Sequence, residues 1–461
     1  MSIPLASPQS NYYEQVPGDW WLSAAKVLKM VTQQVKAEQI AAIAISNQRE
    51  TFVPLNDKGQ ALRPAILWLD ERCKDDVKPF AQKIGEEKIH TITGKPVDYA
   101  PVVYRLAWMK NHEPGLFKNI AMICDVQTYL VWKLTGCFKT SRASADPLGL
   151  YDLKNKKWSP DILNALDLTE KQLPWVATTG TVFGNISDEA LQLTGLYPGT
   201  IVVGGGGDGQ AAGLGVNALT PERAYLNLGT AVVAGVYNLQ YRVNKAFRTM
   251  AACSDSGYYY ECSLRAGTFA IDWFIKNILK TDPIKTPEIY QVLEREAQTI
   301  EPGSDGVLFL PYLNGVMNPY WDIDARGAFT GLSSSHQRGH MYRSILEGIA
   351  FEQLLAISGV ETVTGIKVNE LVTIGGGSTS QLWRRILADV TGKDICLPEN
   401  QEASALGAGM AAAVGAGWYS TFKEAAGQMT AKESVIKPDQ TKFKIYQTIF
   451  RTYQQIYLKL K

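Results

Sequence analysis

Apolar positions recur along this chain at two spacings, and the two alternate. Between Trp20 and Ala37, the residues Trp21, Ala24, Ala25, Leu28, Val31 and Val35 fall on one helical stripe, which predicts an amphipathic helix. The run Ile40–Ile45 predicts a buried strand ending at Ser46-Asn47. Thr51–Leu55 predicts a second strand, closed by the Asn56-Asp57-Lys58-Gly59 turn. Helices are predicted over Glu71–Ile84, Val103–Lys110 and Val126–Leu134, with a strand over Ala121–Cys124. Further on, Ile201–Val203 reads as a strand feeding the glycine run Gly204-Gly205-Gly206-Gly207. Strands are predicted again over Ala224–Leu228, Val232–Tyr237 and Leu371–Ile374. Helices are predicted over Ser335–Gly359, Gln381–Val390 and Ala405–Val414. This alternation in both halves predicts an α/β fold. The pattern restarts after Gly215–Thr220, which divides the chain into expected domains of residues 1–216 and 217–461.

Composition narrows the class. With 46 Lys and Arg against 45 Asp and Glu, no basic excess points to nucleic acid. No apolar run approaches the ~20 residues of a membrane span, and Met1–Pro8 lacks the features of a signal peptide. A soluble, cytoplasmic, reduced protein is expected. The six cysteines form no CxxC pair and are expected to be buried thiols. His336 and His340 share a helical spacing, but HExxH is absent and no third ligand is evident, which argues against zinc.

Candidate chemistry lies where strands run into glycine. Gly204–Gly207 followed by Asp208 reads as a turn where main-chain N–H groups meet a phosphate or sugar hydroxyl, with Asp208 as general base. Equally, Asp208 has the chemistry of a helix N-cap. The triplet Gln48-Arg49-Glu50 follows a predicted strand, where open α/β sheets bind ligands. Its charged pair suits vicinal hydroxyls, or an ordinary surface ion pair. Leu228-Gly229-Thr230 reads as a phosphate-wrapping turn or a plain hairpin. Gly375-Gly376-Gly377-Ser378, between a strand and a helix, reads as a nucleotide loop or a tight connection. None of these is GxxxxGK[ST], so a P-loop enzyme is not expected.

In order, these segments resemble the FGGY carbohydrate kinases of the sugar kinase, heat-shock 70 and actin superfamily. Gly327-Ala328-Phe329-Thr330-Gly331-Leu332, followed after seven residues by His340–Glu347, is similar to the family's C-terminal signature. Pro101–Lys110 is similar to its other signature, with Arg105 where Lys is usual. Gly375–Gly392 and Glu402–Gly417 resemble its adenosine-binding and second connecting segments. The resemblance implies a two-lobed, actin-like ATPase (ribonuclease H-like) fold that closes on ATP and Mg²⁺. It places the general base on Asp208, which also stands near the metal. It assigns sugar binding to Gln48, Arg49, Glu50 and Asp208, and nucleotide binding to Gly229, Thr230, Gly375, Gly376, Gly377 and Ser378. A small-molecule partner and a homodimer are expected.

Substrate signals diverge within the family. Asn47–Thr51 resembles the glycerol kinase branch. Pro64–Trp68, Pro319–Asp322, Asp324–Gly327 and Leu382-Trp383 resemble the xylulokinase branch. A pentulose is the first expectation, with glycerol or another polyol as the alternative. Family members begin with a strand carrying an Asp-x-Gly-Thr loop and a hairpin partner, whereas Met1–Trp21 resembles the segment after that hairpin. The N-terminal lobe is therefore expected to lack its first strands and one phosphate clamp, through a misassigned start, a truncated product or a pseudoenzyme. A catalytically weak or inactive binding protein on the same scaffold is the corresponding alternative.

Overall fold

A computed structural model describes residues 2–430 and 433–461. Among these residues, three larger sheets organise the chain. The first is three-stranded, in the order Val182–Asn185, Ile201–Gly207, Ala42–Asn47, with the last two parallel. The second is four-stranded and antiparallel: Glu14–Gln15, Ala65–Ile66, Phe52–Leu55, Met122–Asp125. The third is seven-stranded, in the order Arg248–Ala251, Tyr258–Leu264, Val232–Asn238, Arg223–Leu228, Glu370–Ile374, Asp394–Pro398, Glu433–Ile436. Its centre, from Arg223–Leu228 through Asp394–Pro398, is parallel.

Helices follow the predicted stripes with shifted ends. The first runs Pro17–Thr32, because Pro17 at its start has its φ pre-set and needs no hydrogen-bond partner for a missing N–H. The long helix runs Arg338–Thr364 and stops at Gly365, whose φ of +73° ends it in the left-handed region. This helix is buried along most of its length against the seven-stranded sheet and the terminal helix Gln440–Leu460. Its buried charges are answered locally. Arg343 Nε donates to Glu347 at 2.8 Å, and the hydroxyls of Tyr312 and Tyr453 donate to Glu352 at 2.8 and 2.7 Å. Among the described residues, no helix is long and apolar enough to cross a membrane.

The glycine run requires a correction. Gly204–Gly207 does not form a turn; it completes the strand Ile201–Gly207, with a register shift between Val203 and Gly206. A Cβ on Gly205 would lie 2.1 Å from the carbonyl oxygen of Ile45 on the parallel neighbour. Glycine is thus required by close strand contact, and no phosphate is needed to explain it. Asp208 is likewise not an N-cap: Gly207 caps the helix Asp208–Gly215, and Asp208 is its first residue.

That short helix crosses the small-residue helix Ala403–Gly415 at backbone distance. Cβ atoms on Gly215 and Gly407 would each fall 1.9 Å from a carbonyl oxygen of the other helix, that of Ala403 and Ala211 respectively. The crossing fixes the start of Asp208–Gly215 against the following half of the chain, and Ser404 Oγ donates to the Asp208 carbonyl at 2.9 Å. The histidine pair has a structural task. His340 Nδ1 accepts from the Gln337 N–H at the start of the long helix, and its Nε2 lies 3.2 Å from Asp305 Oδ2. Of the six cysteines, five are buried and Cys137 is exposed; all are free thiols.

Candidate active site

The turn after Ala42–Asn47 carries Gln48, Arg49 and Glu50, and the turn is bent sharply. Glu50 has φ of +48°, an uncommon conformation for a residue with a side chain. Arg105 stabilises it from behind: fully buried, it donates from Nη1 to the Glu50 carbonyl at 2.5 Å and from Nη2 to the Ala100 carbonyl at 2.7 Å. The bend turns Gln48 toward Gln15, whose Oε1 lies 3.2 Å from Gln48 Nε2. Arg49 extends over the start of the helix that begins at Asp208.

Glycine makes room for that arginine. A Cβ on Gly207 would meet Arg49 Cγ at 2.5 Å, and one on Gly209 would meet its Cζ at 3.2 Å. So placed, Arg49 reaches two carboxylates. Its Nε lies 3.3 Å from Asp208 Oδ1, and its Nη1 lies 2.7 Å from Glu261 Oε2. Glu261, on Tyr258–Leu264, also accepts from Tyr225 Oη at 2.8 Å and from Arg248 Nε at 2.7 Å. Arg248 Nη1 returns to Glu50 Oε1 at 2.9 Å. The circuit joins a strand-end turn of the first half to three strands of the seven-stranded sheet.

Solvent reaches this circuit at one carboxylate. Glu261 has no exposed side-chain surface and Arg49 only 9%, but Asp208 has 57%. Asp208 sits in a recess, crowded by protein yet open on one side. Crowding raises its pKa above the ordinary value, against the pull of Arg49 and of the Gly209 N–H; Glu50 and Glu261 add to the rise. Burial would also raise the Glu261 pKa, but Arg248 and Arg49 outweigh it and hold Glu261 at about 2. For Arg49, burial opposes the charge, and Glu261, Glu50 and Asp208 more than restore it.

The glycine loops form a second cluster. Arg223–Leu228 and Glu370–Ile374 are parallel neighbours, so Leu228-Gly229-Thr230 and Gly375–Ser378 leave the sheet side by side. The first is also a hairpin turn, leading into the antiparallel strand Val232–Asn238. Gly375, at φ +80°, would bring a Cβ within 2.4 Å of Asn227 Oδ1, and Gly377 would bring one within 2.5 Å of the Trp383 ring. Gly376 faces open space, with nothing within 4 Å of where a Cβ would stand, and Thr230 is exposed. Their carbonyls are engaged, that of Thr230 by the Gly267 N–H at 2.8 Å and that of Gly376 by the Thr379 hydroxyl at 2.8 Å, and both positions leave room for a phosphate chain. Ser378 is different. It is buried, and its hydroxyl donates to the Gly375 carbonyl at 2.7 Å, with Gln401 Oε1 also within reach at 3.0 Å, so its side chain shapes the loop. Among the described residues, no group of three or more His, Cys, Asp or Glu is placed to hold a metal. A Mg²⁺ at Asp208 would rest on one carboxylate, phosphate oxygens and water, a common arrangement for that ion.

One strand serves both clusters. Tyr225 belongs to the charge circuit, and Gly229 lies four residues on, about 13 Å along the chain at ~3.3 Å per residue. Tyr225, Arg248 and Glu261 were not singled out from sequence. The available signal was a lone carboxylate at Glu261 inside an apolar, aromatic strand, since a buried charge requires a partner.

Comparison with known proteins identifies the family of the chain. The model of the FGGY family of carbohydrate kinases, N-terminal domain, matches residues 1–215, and that of the C-terminal domain matches residues 224–416. A xylulose kinase of Bacillus subtilis (strain 168) is 29% identical, over 99% of this chain and 91% of its own length. Among solved structures, a ligand-bound xylulose kinase from Lactobacillus acidophilus is 26% identical with a TM-score of 0.92, covering 100% of this chain and 94% of that one. A gluconate kinase from the same organism, also 26% identical, has a TM-score of 0.93 with the same coverage.

Proposed function

The chain belongs to the FGGY family of carbohydrate kinases, with the family's two-domain, actin-like ATPase fold, and we propose that it transfers the γ-phosphoryl group of ATP to a pentulose such as xylulose. In this reading the sugar lies against Arg49 and Glu50, with its primary hydroxyl at Asp208. Gln48 supports the turn through Gln15. The terminal phosphates rest on the backbone of Gly229 and Thr230, and the nucleoside end lies along Gly375–Gly377. Bound Mg²⁺ would supply charge neutralisation for the phosphates.

The reacting hydroxyl loses its proton to Asp208 while its oxygen forms a bond to the γ-phosphorus. The bond from that phosphorus to the β–γ bridging oxygen breaks, and ADP leaves. Asp208 suits the proton: its raised pKa makes it a stronger base than an ordinary carboxylate, and Arg49 keeps it ionised. The observation that carries the reading is the open Asp208 carboxylate at the end of an otherwise buried charge circuit.

The test is a coupled ADP-release assay with xylulose, ribulose, glycerol, erythritol and gluconate. Release is expected to depend on sugar and to be fastest with a pentulose. Highest kcat/KM with glycerol or erythritol would move the assignment to a polyol. ADP release that is independent of sugar, or none at all, would contradict it.

A further inference from the structure

Each arginine of the circuit is bound by two carboxylates. Arg49 meets Asp208 and Glu261; Arg248 meets Glu50 and Glu261. Glu261 is the shared member, fully buried, with Tyr225 as its remaining partner. On the cleft side this gives three carboxylates to two guanidinium groups. The nearby Lys95 and Asp146 are paired with each other, and Arg105 lies behind the Glu50 turn with its donors on carbonyl oxygens. An acidic sugar entering here would find both cations already neutralised and an open carboxylate at Asp208. Discrimination of this kind comes from the unpaired or like-charged contact that the wrong ligand must make.

We infer that Glu261 determines specificity: by binding Arg49 and Arg248 together, it cancels the charge that would recruit an aldonate and reserves the cleft for uncharged ketoses and polyols. The inference rests on the reading of Arg49, Glu50 and Asp208 as the sugar site. Glu261 touches no substrate in this account; it acts through the two arginines.

The test compares wild type, Glu261→Gln and the double variant Arg248→Gln/Glu261→Gln in the full chain. Kinetics and calorimetric binding are measured with xylulose and with gluconate. Wild type is expected to favour xylulose. Glu261→Gln frees positive charge and should shift the gluconate-to-xylulose ratio of kcat/KM by about tenfold or more toward gluconate, the effect of roughly one new charge contact. Removing Arg248 as well rebalances the circuit, so the double variant should return toward the wild-type ratio. A purely structural role predicts the opposite, with the double variant no better than the single. An unchanged ratio in Glu261→Gln, or a wild type that prefers gluconate, would overturn the inference. If melting curves show Glu261→Gln unfolded, Arg248→Gln alone takes its place. It deepens the negative balance and should weaken gluconate relative to xylulose; an equal effect on both would overturn the inference. A wild type that binds these sugars but phosphorylates neither contradicts the kinase reading while leaving the binding ratios to decide this one.

Discussion

At Asp208 two opposing influences meet within a few ångströms. A general base must be ionised when substrate arrives, yet basic enough to hold a proton. Crowding raises the Asp208 pKa, and the Arg49 guanidinium at 3.3 Å limits the rise. Activity should therefore fall as pH drops through a value above that of an ordinary carboxylate. Arg49→Gln removes the cation that favours the ionised form, so the protonated form gains and the acidic limb of kcat should move to higher pH. A pH profile of the variant checks this; an unmoved limb would remove Arg49 from the role. The structure brings Arg49, Glu50 and Asp208 together, and the sequence offered them because the first two follow the apolar run Ile40–Ile45 and the third follows the glycine run that ends a strand. The glycines beside them were misread. Glycine signals a turn when only local chain freedom is considered, but Gly205 answers the Ile45 carbonyl and Gly207 answers the Arg49 side chain. Both partners lie more than a hundred and fifty residues upstream, beyond the reach of local pattern.

At the level of elements, two helices cross with almost no space between their backbones. Gly407 would drive a Cβ to 1.9 Å from the Ala211 carbonyl, in the helix that begins with Asp208. Gly407→Ala should therefore cost roughly 1–3 kcal/mol by overpacking and lower kcat by displacing Asp208. Gly409, in the same helix, is the matched control, because its nearest contact lies at 4.0 Å. Gly409→Ala should hold or raise the melting temperature, as alanine favours helix by about 1 kcal/mol over glycine. Equal effects of the two substitutions, read by thermal melting and by kcat, would contradict the crossing. The small-residue composition of Ala403–Gly415 was visible in sequence, as was its helical form. Its partner was not, since nothing in either segment alone says which face meets the other. The interiors of the helices and strands expected from period are present, but the terminal helix Gln440–Leu460 and the strands Arg248–Ala251 and Tyr258–Leu264 were not among them. The ends of the expected elements shifted where a cap, such as Pro17 or Gly365, outweighed the apolar stripe.

Across the whole molecule, the charge circuit links residues about two hundred positions apart. Arg49 meets Glu261 at a separation of 212 residues, and Arg248 meets Glu50 at 198. Alternating strands and helices made the α/β class readable, because that pattern is local and repeats. The family resemblance supplied the lobe arrangement. The pairing of Arg248 and Glu261 with the Gln48-Arg49-Glu50 turn depends on how two sheets meet, and no spacing in the sequence encodes it. The same closure leaves the Asp208 carboxylate open while its neighbours are shut in, and this asymmetry is what the functional account needs.

Replacement of that one carboxylate by an amide is the most direct test. Asp208→Asn should reduce sugar-dependent ADP release by roughly 10²–10⁴-fold, the span typical of losing a general base, while calorimetry finds xylulose bound within a few-fold of wild type. Turnover close to wild type in that variant would contradict the account.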